Sequence, residues 1–304
     1  MITVLAGGTG GARLARGLLD VVGARELAVI ANTGDDVEMY GVHVSPDPDL
    51  VAYTLADVID ERGWGVKGDT FEVMEALERV DRPAWFRLGD RDLAMCLLRT
   101  ELLQAGERLT LAHAEVCRAL GLEADVIPMS DDPVRTQVKV RGDWLPFQEF
   151  MIVEGGRDGT PEIEDVQLIG MDEAEPSPEA IAAIERSEAI ILGPSNPVIS
   201  IGPILAVSGI QETVADCGAP VVAVSPFIHG RSIKGPTEDF CRWAGLPLGT
   251  KCVFEAYSDL IDGAVADEPA GNLPVHVTET LMDSPDARRR LAEETLEFAA
   301  TLAS

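Results

Sequence analysis

The sequence predicts an α/β fold: a Rossmann-like, doubly wound, mostly parallel sheet with a small β-rich insertion. Three observations predict it. The chain opens as strand (2–6), glycine turn (7–11) and helix (12–19). Short, uncharged, β-branched runs then alternate with helical spacing over most of the 304 residues, the pattern of strands buried on both faces under layers of helices. Between 131 and 170 that pattern gives way to strict alternation and turn residues, which is hairpin chemistry.

The elements follow in order. Residues 2–6 carry no charge, and Leu14, Leu18 and Leu19 fall on one side of the first helix. A second strand, 27–31, runs into Asn32-Thr33-Gly34-Asp35-Asp36, and a short strand at 42–44 precedes Ser45-Pro46-Asp47-Pro48-Asp49. A helix is expected over 49–60. Asp69 and Thr70 read as the cap of another, 71–80. Residues 85–88 read as a strand leading into a helix that ends near Gln104. Thr110 is expected to cap a helix that ends at Gly121, and 124–128 reads as a strand. In the insertion, 135–140 alternates, Gly142 and Asp143 turn, and 144–153 is expected to run back as a strand. The βα pattern then resumes: helix 178–187, strand 189–192, a helix from about Gly202, strand 221–224, a helix near 237–244, and short strands at 263–266 and 275–277. Ser284 caps a last helix, 285–302. One α/β unit over 1–304, interrupted by the insertion at 131–170, is the expected organisation.

Composition narrows the function classes. With 46% hydrophobic residues the chain can bury a sizeable core, and no run of eighteen apolar residues reads as a membrane span. The start on a core strand leaves no room for a leader, so a cytoplasmic protein is expected. Five cysteines (96, 117, 217, 241, 252) without a C-x-x-C pair read as reduced core thiols. The net charge of −28, from 52 acids against 24 bases, repels nucleic acid and anionic membranes. So acidic a surface suits a salt-rich cytoplasm, where screening keeps it folded and soluble.

Five polar loops, 7–11, 32–36, 87–92, 193–197 and 225–231, follow expected strands, where open α/β sheets bind ligands. The first is the sharpest. Gly7, Gly8, Gly10 and Gly11 around Thr9 strip side chains from a helix start, so a nucleotide phosphate can approach the backbone amides, with Arg13 adding charge. The dinucleotide fingerprint fails there, because Arg13 stands where its third glycine belongs and Asn32 where a ribose-binding acid is expected. The P-loop pattern is absent. Two or more of Asp35, Asp36, Asp47 and Asp49 are expected to converge as oxygen donors on one Mg2+ ion; turn and cap chemistry is an equal reading of each alone, and the sequence leaves the binding pair open. Arg87 and Arg91, among acids, suit a phosphate or a planar ring, or else an ion-paired loop. Ser195 and Asn196 offer small donors to a base or phosphate in a proline-rich turn. His229, Arg231 and Lys234 cluster positive charge in a chain poor in it. Trp64, between Gly63 and Gly65, reads as a core residue or as the cover of a ring.

The motif set resembles one family, the 2-phospho-L-lactate transferases. It comprises the 7–11 turn, Asn32–Asp36, Ser45–Asp49, Arg87–Asp92, Pro128–Asp132, Phe147–Phe150, 193–197 and Val222–Pro226, in that family's order over residues 2 to about 236. The resemblance implies a step in making coenzyme F-420. A lactyl-diphosphoguanosine donates its 2-phospholactyl group to the ribityl hydroxyl of the deazaflavin Fo, GMP leaves, and Mg2+ assists; some bacterial members use a phosphoenolpyruvate-derived donor. By position Asp49 and Arg87 match the deazaflavin-holding residues, Asp35 and Asp49 the metal ligands, and Gly7, Gly8, Thr9, Gly10, Gly11, Ser195 and Asn196 the guanine nucleotide site. The candidate catalytic set is Asp49, Asp35 and Arg91, with Asp49 the candidate base, although a metal ligand is not also a free base. Pro48 stands where the family usually has Leu. The family suggests a homodimer. Two rivals remain at this stage: a non-enzymatic regulator that binds nucleotide sugars, and a nicotinamide dehydrogenase.

Overall fold

The computed structural model describes residues 1–155, 161–233 and 235–303. Fourteen strands are numbered in chain order: β1 Ile2–Ala6, β2 Leu27–Ala31, β3 Val37–Met39, β4 Val42–Val44, β5 Asp125–Pro128, β6 Arg135–Val140, β7 Asp143–Pro146, β8 Asp165–Ile169, β9 Ala189–Leu192, β10 Val221–Val224, β11 Phe227–Ile228, β12 Arg231–Ser232, β13 Gly263–Ala266 and β14 Val275–Val277. Seven of them form one all-parallel sheet in the order β14-β13-β10-β9-β1-β2-β5. The fold is the expected Rossmann-like α/β arrangement. From β1 the chain steps one way to β2 and β5, then returns to the other side of β1 for β9 and β10. The direction reverses between β1 and β9, and the crevice outside the carboxyl ends of such a strand pair is where open sheets bind ligands.

The strands form where uninterrupted apolar runs allow both faces to be covered. Side-chain period two divides each run between two cores. Val4, Val29 and Ile191 belong to one, with Leu14 and Leu18; Leu5, Ile30, Ile190 and Leu192 belong to the other, with Ile204 and Val214. The first helices are α1 Gly8–Val22, α2 Pro46–Leu55, α3 Glu72–Glu78, α4 Asp90–Gln104 and α5 Leu109–Ala119. The C-terminal helix Pro285–Leu302, capped by Ser284 as expected, lies against α1. Gly17 permits that contact, since a Cβ there would fall on the Arg288 carbonyl oxygen. The insertion is a three-stranded antiparallel sheet, β7-β6-β8, with β6 alternating between buried and half-buried positions.

Several expectations are corrected. The helix expected over 12–19 begins four residues earlier, so three of the loop glycines lie in its first turn. The helix expected over 49–60 runs Pro46–Leu55, because Pro46 suits the first helical turn and Asp47 and Asp49 favour its positive end. Residues 85–88 join no ladder; Phe86 and Leu88 are buried in a small core beside Met74, and Tyr40 Oη donates to the Phe86 carbonyl at 2.9 Å. The returning strand expected over 144–153 is extended only as far as Pro146, and it begins one residue early, at Asp143. From Phe147 the chain is helical, because Phe147, Phe150 and Met151 recur at helical spacing and pack on Phe240 and its neighbours. The helix capped by Thr110 in the sequence reading starts at Leu109 with Arg108 as its cap residue. Asp69 and Asp90 exchange roles: Asp69 accepts from the Arg91 and Asp92 amides of α4, and Asp90 from the Glu72 and Val73 amides of α3. Among the described residues no single helix is long and apolar enough to cross a membrane, although the bent pair Pro197–Ala206 and Ile210–Asp216 passes by length and composition.

Candidate active site

A cleft of about 740 Å³ opens at the carboxyl edge of the sheet. Its floor is the start of α1. Gly7, Gly8, Thr9 and Gly10 line it, facing Pro194, Ser195 and Asn196. Gly10 has room for no side chain, because a Cβ would lie on the Pro194 carbonyl oxygen. Gly11 does not line the cleft; a Cβ there would meet Ser195 Oγ at 2.6 Å and Ala6 Cβ at 2.8 Å. It lets β1, α1 and the 193–197 loop touch.

The loop amides are partly committed. Gly8 N–H donates to Asp47 Oδ1 at 2.8 Å, so a carboxylate already sits at the helix N-terminus. Gly7 N–H donates to Ser195 Oγ at 3.2 Å, and that hydroxyl donates back to the Gly7 carbonyl. Ser195 therefore locks two loops together. The Thr9 and Gly10 amides have no carbonyl partner within the helix and remain for an anion, with Arg13 beside them in the lining. Asn196 Oδ1 accepts from Val198 N–H at 2.8 Å, while its Nδ2 is buried without a partner. A cleft-lining amide donor is thus free for a ligand.

Carboxylates form the wall. Asp47 Oδ2 accepts from Asn32 Nδ2 at 3.0 Å, and burial pushes its pKa up to about 6 against the pull of the Asn32 and Gly8 bonds. Asp35 is raised well above the usual carboxylate range by burial, then by the charges of Asp47 and Asp36. Asp36 is not among the lining residues; its Oδ2 meets His43 Nε2 at 2.9 Å and accepts from Ser45 Oγ at 2.7 Å. Asp49 pairs through Oδ1 with the Arg99 guanidinium, and burial raises its pKa although Arg99 opposes the rise. Asp92 Oδ1 accepts from Tyr53 Oη at 2.8 Å; burial, helped by the Asp49 charge, pushes its pKa to about 7. Asp35 Oδ1, Asp36 Oδ1 and Asp49 Oδ2 are buried without a hydrogen-bond partner.

The far end is apolar and aromatic: Trp64, Trp85, Phe86, Leu88 and Leu50 line it. Trp64 is 43% exposed, with the Arg62 guanidinium 4.3 Å above its ring. Arg87 lines this end too, 5.1 Å over Phe71 and 3.3 Å from Glu78.

The structure thus brings Gly7, Gly8, Thr9, Gly10, Ser195, Asn196, Asp35, Asp49 and Arg87 to one cleft. Arg91 is not among its lining residues; its Nη1 lies 3.5 Å from the Lys67 carbonyl on the exposed side. Asp35 lies outside the group of three metal-type ligands found among the described residues, Asp49, Asp92 and Cys96, whose ligand atoms lie within 4.8 Å of one another. His229 is exposed, with Nδ1 3.2 Å from Asp267, and Arg231 is exposed outside the lining; Lys234 lies outside the described residues. The sequence reading places Asp92 in the 87–92 motif but gives it no role of its own, and it misses Arg99. Their signal was available: Asp92, Cys96, Arg99 and Thr100 recur at helical spacing and form the buried stripe of α4, which is polar.

Residues 2–288 match the family model described as 2-phospho-L-lactate transferase CofD. The 2-phospho-L-lactate transferase of Methanocaldococcus jannaschii is 41% identical, the match covering 99% of each chain. A phosphoenolpyruvate transferase from Streptomyces griseus is 37% identical over 98% of each. Among solved structures, a UPF0052 family protein from Bacillus halodurans shares the fold, with a TM-score of 0.56 at 19% identity, over 91% of this chain and 87% of that one. The chain is a transferase of a phosphate-containing group and belongs to the 2-phospho-L-lactate transferase family.

Proposed function

We propose that this enzyme transfers the 2-phospholactyl group from lactyl-2-diphospho-5'-guanosine to the deazaflavin Fo, giving coenzyme F-420-0 and GMP with Mg2+ assistance, as a cytoplasmic homodimer. One observation carries the reading. A single cleft is lined by an amide-bearing helix start, by buried carboxylates and by aromatic side chains. That set matches a donor diphosphate, a metal and a flat acceptor ring.

The residues fit a hard divalent cation. Asp35 Oδ1 and Asp49 Oδ2 are buried carboxyl oxygens without hydrogen-bond partners, and carboxylate oxygen is the donor that Mg2+ prefers. Asp35 and Asp49 would hold the ion, which when bound neutralises charge on the diphosphate. The chain's own groups do the rest. Thr9 and Gly10 amides, Arg13 and Asn196 Nδ2 bind the guanylate end, while Trp64, Trp85 and Arg87 hold the deazaflavin so that its ribityl hydroxyl faces the phosphorus that bears the lactyl group. The hydroxyl oxygen attacks that phosphorus, and the bridging P–O bond to guanylate breaks as GMP leaves with its electron pair. Positioning and charge supply most of the acceleration in such transfers. The hydroxyl proton goes to a carboxylate. Asp49 cannot hold the ion and take the proton through one oxygen; Asp92, with its pKa near 7, is suited to accept it.

The test is direct. Purified protein, Fo, lactyl-diphosphoguanosine and Mg2+ should give a phosphorylated deazaflavin by mass spectrometry, and a chelator should stop it. No product, together with tight binding of a UDP-sugar or NAD, would refute the transferase reading. Relatives named phosphoenolpyruvate transferase make the phosphoenolpyruvate-derived donor the second substrate to assay.

A further inference from the structure

α4 turns a polar stripe inward. Asp92, Cys96, Arg99 and Thr100 are its buried residues, and Arg99 is wholly buried. A stripe at that spacing normally carries leucine or valine. Here its groups are spent on the segment that bears the cleft's carboxylates. Thr100 Oγ1 accepts from His43 N–H at 2.8 Å, and Arg99 Nη1 donates to the His43 carbonyl at 3.2 Å. Both polar groups of one peptide residue are therefore held by adjacent residues of α4. The His43 ring then touches Asp36 Oδ2 at 2.9 Å, and Arg99 Nη2 binds Asp49 Oδ1.

We propose that Arg99 is a positioning residue for the transfer reaction: one buried cation ties the Asp49 carboxylate to the His43 peptide and so fixes the unpartnered Asp49 oxygen in the cleft. Stability alone is a poor reason for such a pair. Desolvating two charges costs about as much as their attraction returns, and an apolar pair of similar volume often does as well. Geometry is what the pair adds. Asp49 Oδ1 is taken by Arg99, and His113 Nδ1 lies 3.9 Å from that same oxygen, so Oδ2 alone is left. Asp49 is carried on the first turn of α2, and α2 and α4 are separate elements; Asp92 and Cys96 of α4 lie near that carboxylate, but the hydrogen bond from α4 that sets its rotamer is the one from Arg99.

This inference rests on the transferase reading only through its activity arm. Arg99→Met, Arg99→Lys, Asp49→Asn and the Asp49→Asn/Arg99→Met double variant of the full chain are compared in two assays, turnover of Fo and calorimetric binding of GDP with Mg2+. Arg99→Met should lower kcat about tenfold with the KM for Fo changed less than about twofold, the split expected when aim rather than acceptor binding is lost. In the Asp49→Asn background the same change should cost less than about twofold, because its target is gone. Arg99→Lys should recover part of the loss. GDP affinity with Mg2+ should fall alike in both single variants and no further in the double. Unchanged kcat and GDP affinity in Arg99→Met would overturn the proposal, as would a further tenfold loss in the double variant. If Arg99→Met does not fold, the double variant, which lacks both buried charges, is judged against Asp49→Asn. A double variant that also fails to fold while Asp49→Asn folds makes Arg99 structural and overturns it too. If the wild type makes no product, the transferase reading fails, and the GDP comparison still decides Arg99.

Discussion

Asp92→Asn probes the wall of the cleft with little steric change, because an amide oxygen can still accept the Tyr53 hydroxyl that Asp92 Oδ1 accepts at 2.8 Å. An ordinary aspartate loses its proton near pH 3.8, and burial beside Asp49 moves Asp92 to about 7. At about 1.4 kcal/mol per tenfold in proton affinity, the ionised side chain costs the fold about 4 kcal/mol. The sign follows from proton counts. Between the two values the folded chain keeps a proton that the unfolded chain has released, so stability falls as pH rises through that window and levels off above about pH 7. Asp35, Asp47 and Asp49 are raised as well and contribute in the same direction, but they are present in both proteins. The difference between wild type and variant therefore isolates Asp92. Urea unfolding from about pH 4 to about pH 8 in metal-free buffer should show the variant gaining up to about 4 kcal/mol on the wild type across the range. If Asp92 also takes the hydroxyl proton, turnover in the variant falls about a hundredfold. Parallel stability curves for the two proteins would refute the reasoning, since they would mean that Asp92 ionises in the folded chain as it does in water.

Four further outcomes are expected. Asp49→Asn should lower turnover about tenfold or more, about 1.4 kcal/mol in the barrier; wild-type rates in that variant would remove Asp49 from the site. Gly10→Ala places a methyl on the Pro194 carbonyl, so the melting temperature should drop with a loss of about 1–3 kcal/mol and GDP binding should weaken; calorimetry reads both. Trp64→Ala, at a half-exposed position, should raise the KM for Fo about fivefold, about 1 kcal/mol, with the melting temperature nearly unchanged. A chain of net charge −28 should also melt higher as salt screens its surface, and indifference to salt would count against a salt-rich habitat.

The central strands were legible because burial on both faces leaves a mark that local chemistry cannot mimic: uncharged β-branched runs of four or five residues at 2–6, 27–31, 189–192 and 221–224. What failed were segments whose state is decided at a distance. Residues 85–88 look like a strand and lack only a partner, and their burial is in the small core around Met74. Residues 147–154 follow a real strand but carry their apolar groups at helical spacing, toward Phe240. The capping error has the same origin. Asp69 precedes α3 in sequence but serves α4, and Asp90 opens α4 but serves α3, an exchange that only packing reveals.

The site divides along the same line. Loops 7–11, 32–36, 193–197 and 225–231 follow β1, β2, β9 and β10, four neighbours in the sheet, so strand order alone brings them to one edge. The 87–92 loop follows no strand, yet Arg87 and Asp92 reach the cleft from beside the sheet. Position in the sheet gathers the loops; it does not say which side chains remain free once they meet. Gly8 was read as part of a phosphate loop and Ser195 as a donor to a base or phosphate, and in the fold their hydrogen bonds go to Asp47 and Gly7. The groups left over, the Thr9 and Gly10 amides, Asn196 Nδ2 and one oxygen each of Asp35 and Asp49, are defined by subtraction. That subtraction depends on partners far away in sequence, such as Arg99 for Asp49. A loop's chemistry is written in its residues, whereas the part of it available to substrate is written in everything else that the loop touches.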